Sequence, residues 1–165
     1  MATITKLGIP DPSNQLGASP YGNLTAFRYV LKTVASGAVE GGDSTAAVAS
    51  GDTVKIGLLP AGFRLIDSEI VVKTGLTATI TAKVGFAYAD GVDSTAVPQD
   101  DYFFGTGITV ATAGRYRNAT SNTSVTLPKE AWLTLTTAVA ANAKASELES
   151  SSSPSTKVWR NCHES

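Results

Sequence analysis

The sequence predicts an all-β fold, an antiparallel two-sheet sandwich of the jelly-roll kind with an extended N-terminal arm. Three observations point there. From Asp52 to Val84 apolar residues alternate with polar ones in short runs; proline and glycine interrupt those runs; and β-branched residues dominate without the spacing of three and four that marks a helix. Seven or eight such runs follow one another along the chain, which suits two packed sheets.

Pro10, Pro12 and Pro20 with Gly8, Gly17 and Gly22 break both helix and ladder, so residues 1–23 read as an extended arm. Its apolar residues Leu7, Ile9, Leu16 and Tyr21 are free to pack on the parent domain or on a neighbour. The sandwich domain is expected over residues 24–149. A first strand runs from Leu24 to Val34, with Phe27, Tyr29 and Leu31 on one face, and residues 36–51, rich in Gly, Ala and Ser, form a loop. In the next strand Val54, Ile56 and Leu58 face one way. Pro60-Ala61-Gly62 then stops it, because proline lacks the amide donor and glycine accepts backbone angles that other residues resist.

From Phe63 to Val72 the alternation is imperfect, the mark of a bulge or of a strand buried at one end only, and it resumes from Leu76 to Tyr88. Asp90-Gly91 signals a turn and residues 93–101 a polar loop. Asp101 to Val110 is a strand weakened by Gly105 and Gly107, residues 111–123 are a second polar loop, and Ser124 to Thr137 is a hairpin turning at Pro128-Lys129-Glu130, with Trp132 assigned to the core. Residues 150–165 are expected to be an irregular or non-native tail, since a four-serine run before proline lacks alternation and apolar mass. A shifted reading frame would turn TCG serine codons into GTC valine codons there.

Composition excludes several functions. Thirteen Lys and Arg against fourteen Asp and Glu are scattered rather than clustered, so no nucleic-acid footprint is visible. No run approaches the ~20 apolar residues of a membrane span, and Met1 to Pro10 lacks the apolar core of a signal peptide, so synthesis in the cytoplasm is expected. The one histidine, His163, adjoins the one cysteine, Cys162, in the tail; a catalytic triad, a Cys-His nucleophile or a zinc site therefore has no foundation in the folded region. Asp90, Asp93, Asp100 and Asp101 match no calcium loop and read as turn residues. Gly105-Thr106-Gly107 is too short for a phosphate loop. The chain is thus expected to be no enzyme, with no catalytic, cofactor or metal residues. Tyr102 and Tyr116 stay open as a ring platform for a glycan-binding tail or fibre module, the alternative reading.

Four stretches carry a resemblance: VKIGLLPAGFRLIDSEIVV, KVGFAYADG, QDDYFFGTG and KEAWLTLTTAVAANA. Over about residues 24–145 the chain resembles the jelly-roll cement or decoration proteins of tailed bacteriophages, with a strand ending in Leu-Pro-Ala-Gly, a Gly-aromatic pair leading to Asp-Gly, and a late strand of an aromatic followed by alternating Leu and Thr. The resemblance implies a virion protein on the capsid exterior, a homodimer or homotrimer whose partner is the major capsid protein. Leu7, Ile9, Leu16 and Tyr21, with loops 36–51 and 111–123, are the contacts expected on that reading.

Overall fold

A computed structural model describes residues 1–9, 26–118 and 120–155. Ten strands, and no helix among the described residues, build the molecule: β1 (Thr3–Thr5), β2 (Phe27–Thr33), β3 (Thr53–Leu59), β4 (Arg64–Thr74), β5 (Thr81–Tyr88), β6 (Gln99–Thr109), β7 (Gly114–Arg117), β8 (Val125–Thr126), β9 (Ala131–Ala138) and β10 (Ser146–Ser155). They form two sheets, ordered β1-β3-β9-β5-β6 and β2-β10-β4-β7, with β8 beside β4. Without β1 and β8 each sheet has four strands, and successive strands cross from sheet to sheet except at the β5–β6 hairpin, which is the jelly-roll order. Pairing is antiparallel throughout, save that β1 runs parallel to β3.

The core lies between the sheets. Phe27, Tyr29 and Leu31 of β2, Ile70 and Val72 of β4 and Leu148 of β10 meet Val54 and Ile56 of β3, Val84 and Phe86 of β5 and Leu133 and Leu135 of β9 in one buried cluster. Two glycines let backbones close in. A Cβ at Gly57 would stand 2.4 Å from the Tyr29 ring, so that ring rests on the β3 backbone, and its hydroxyl donates to the Leu58 carbonyl. Burial there pushes the phenol up to about 12. A Cβ at Gly85 would stand 1.8 Å from the Gln99 carbonyl; at that crossing the register of β5 with β6 jumps from Val84↔Phe104 to Phe86↔Gln99.

Beyond the expected Ser124–Thr137 hairpin, whose halves instead join different sheets, β8 beside β4 and β9 between β3 and β5, three expectations of strand placement need correction. Leu76 to Ile80 is not strand: Thr79 sits at φ 73°, a left-handed conformation that breaks a ladder, and β5 begins at Thr81. The buried Asn142 side chain pins this turn, accepting from the Thr77 N–H and hydroxyl, both at 3.1 Å, while its amide donates to Thr33 Oγ1 and to the Gly37 and Lys144 carbonyls. Leu58 does not face the core; a register shift after Lys55 turns Leu58 outward and buries Leu59.

The third correction concerns the expected irregular tail, whose first six residues continue β10. Ser146 to Ser152 pair with β2, and Glu147 to Ser155 pair with β4, so the serine run occupies an inner position of its sheet. Backbone hydrogen bonds on both sides set the strand there, independent of side-chain type. Pro154, which has no N–H, falls just past a register shift, where pairing with β2 has already ended. Residues 156–165, including Cys162 and His163, lie outside the described residues.

Candidate interaction surfaces

The N-terminal residues fold onto their own domain. β1 adds to the free side of β3, the Ala2 N–H donates to the buried Asp52 carboxylate at 2.6 Å, and the Ala49 N–H donates to its other oxygen at 2.9 Å. The Ala2 bond, foremost, holds the Asp52 carboxyl below the usual carboxylate range against the opposing effect of burial, with help from Ala49 and the terminal ammonium. Loop 36–51 closes over this segment. The Leu7 N–H donates to the Gly41 carbonyl at 2.6 Å, Asp43 N–H donates to the Thr5 carbonyl and the Thr5 N–H to Asp43 Oδ1, both at 2.9 Å. Of the four candidate contact residues, Leu7 is 59% exposed beside this loop, Ile9 packs partly buried against the core, and Leu16 and Tyr21 lie outside the described residues.

The stretch 111–123, expected as a loop, instead holds β7, which pairs with β4, while its later residues reach β6. Thr120 Oγ1 and Asn122 Nδ2 donate to the Tyr102 carbonyl at 2.8 and 2.9 Å, and the Tyr116 hydroxyl donates to the Thr109 carbonyl at 2.8 Å. Tyr102 is buried between Phe86 and Phe103, its hydroxyl donating to the Thr123 carbonyl at 2.7 Å, so it offers no open ring to a sugar. Tyr116 is partly buried on the core. The four loop acids do not converge either: Asp90 grips Lys129 and Asp100 lies 3.5 Å from Lys83. No group of three or more metal-ligating side chains occurs among the described residues.

The outer faces of the sheets differ in chemistry. On one sheet Arg28 pairs with Glu149, Lys73 with Glu147, and both Arg115 and Arg117 with Glu69, exposed ion pairs that solvent screens. The other face has few charges. There Leu58, Trp132 and Ala87 share one row across β3, β9 and β5, all half-buried, with Lys55 Nζ 5.5 Å from the Trp132 ring centre and Thr53 and Thr136 joined at 3.0 Å further along. Trp132 is therefore a surface residue and not the core residue expected. The signal was in the sequence: Trp132 and Thr136 fall in the phase opposite to the buried Leu133 and Leu135.

No family model matches the chain, and no curated protein matches it. Its fold is nevertheless shared. A chain from the capsid of Ralstonia phage GP4 superposes with a TM-score of 0.64 at 15% identity, covering 95% of this chain and 99% of that one. A chain from the capsid asymmetric unit of cyanophage Pam1 gives 0.54 at 12% identity, covering 84% and 89%. The sandwich is thus one that chains of phage capsids use over nearly their whole length.

Proposed function

We propose that this chain is a structural virion protein that binds the outer surface of a phage capsid as a homodimer or homotrimer and stabilises the shell by bridging major capsid subunits. The observation that carries this reading is the near end-to-end likeness to the Ralstonia phage GP4 capsid chain, 95% of one and 99% of the other. A fold hosts many functions, so surface chemistry must agree with it. The composition supports the reading: charged residues are only 16% of the chain against about 25% in an average domain, and small residues lose little entropy when an interface orders them. A protein that binds the assembled shell and not its separate subunits stabilises that shell by mass action, and several sites per oligomer add avidity.

Purified particles test the proposal. Quantitative gels and cryo-electron microscopy are expected to find many copies on the shell exterior, and shells stripped of the protein to rupture at lower temperature and under milder osmotic shock. A few copies at the tail, or equal rupture of stripped and complete shells, would overturn it. Leu7, Leu16 and Tyr21, with the accessible part of Ile9, are the proposed contacts of the N-terminal segment. Deletion of residues 10–22, which leaves β1 in place, and Leu7→Ser should each weaken shell binding several-fold in co-sedimentation; unchanged binding removes the segment from the contact set.

A further inference from the structure

A sheet edge exposes unpaired N–H and C=O groups that template pairing with another chain, and folded proteins cover, shorten or charge such edges. Three of the four edges here are treated in that way. β1 has three residues and is covered by Gly41 to Asp43; β2 is covered where the Glu40 N–H donates to Lys32 and the Lys6 ammonium to Val30; β7 has four residues and carries Arg115 and Arg117. The edge strand β6 is different. It is eleven residues long, has no charge from Tyr102 to Thr109, and among the described residues is capped by side chains only at the Tyr102 and Thr109 carbonyls.

Between those caps β6 borders an open groove of about 700 Å³, walled by Gln99, Asp101, Phe104 and Ile108 on one side and by Thr120 and Asn122 on the other. Gly105 lines it too, with no atom within 4 Å of where a Cβ would stand, so another backbone has room to approach. Asp101 is half-buried in the groove and forms no ion pair among the described residues, whereas its neighbour Asp100 faces Lys83.

We infer that the middle of β6, Phe103 to Ile108, accepts an extended strand from another polypeptide, and that this strand carries a lysine or arginine which meets Asp101. The inference rests on the capsid reading above, under which the donor is a subunit of the shell. Main-chain pairing supplies the affinity and the Asp101 ion pair fixes the register. A second copy of this chain is the poorer donor, because antiparallel pairing of two β6 strands about Gly105–Gly107 sets Asp101 against Val110 or Ala111, neither of them a cation.

Two variants test this in co-sedimentation with shells stripped of the protein. Gly105→Lys charges the edge in open space, and Asp101→Asn removes the charge with little change of shape. Gly105→Lys is expected to bind about tenfold more weakly, and Asp101→Asn several-fold more weakly at low salt with a difference that shrinks as salt rises. Wild-type binding matched by both variants would overturn the inference alone; wild-type protein that fails to bind shells would overturn the capsid reading and this inference with it. If sedimentation shows Gly105→Lys turning an oligomer into a monomer while shell binding persists, the donor is a second copy and the assignment is wrong. Should Gly105→Lys lower the melting temperature, hydrogen exchange decides: amides of residues 103–108 in the wild-type protein are expected to slow on shell binding, and unchanged rates there refute the pairing.

Discussion

At Ser150 a hydroxyl faces the core, 4% exposed, in register with Tyr29 on one side and Ile70 on the other, and it has no hydrogen-bond partner among the described residues. Ser68, one diagonal step away on β4, is in the same position. An unpaired buried hydroxyl costs about 1–3 kcal/mol, and a β-branched apolar side chain suits a strand better. Ser150→Val should therefore raise the calorimetric midpoint by about 2–8 °C; an unchanged or lower midpoint would show that the cavity cannot take the methyl groups. Asp52 supplies a pH-dependent counterpart. Its folded pKa is depressed, so the stability it adds is present above the usual carboxylate range and is lost as pH falls through the lowered value. The urea midpoint of the wild type should exceed that of Asp52→Asn most clearly above about pH 5, and the gap should close as acid is added. A gap that stays constant to low pH would mean that the charge contributes nothing and the bonds alone matter.

Strands β2 and β3, from opposite sheets, meet where the Tyr29 ring lies on Gly57. Gly57→Ala puts a methyl group into that ring, and overpacking of this kind costs about 1–3 kcal/mol. A lower denaturation midpoint is the expected result, and Tyr29→Leu in the same chain should recover part of it; a Gly57→Ala variant as stable as the wild type would refute the close contact. This junction also shows what the sequence carried and what it did not. Val54 and Ile56 announced their face by alternation, and they are buried; Leu58 kept the same alternation on paper, but the shift after Lys55 reverses it. A register shift depends on the partner strand, β9, which lies more than seventy residues along. The start of β5 failed for a similar reason, since the Asn142 side chain, remote in sequence, holds the turn before it. Among the contact residues only Leu7 and Ile9 can be placed, and Trp132 was missed because size was weighed above phase.

For the whole molecule, the all-β class, most of the strands and the two-layer architecture were legible because each depends on local period and punctuation, whereas β7 and the turn at Leu76 to Ile80 were not. The order of strands within the sheets was implied only by the resemblance, and the identity of the last strand was not legible, because four serines give no hydrophobic signal while topology demands a strand between β2 and β4. That inner place for β10 has a consequence for biosynthesis. As the chain leaves the ribosome, β2 and β4 emerge long before the strand that joins them, and each waits with one side unsatisfied. Half of the sandwich therefore stays open until residues 146–155 are made, so that a nascent chain or a premature stop upstream of Ser146 offers two sticky ladders to its neighbours on the polysome.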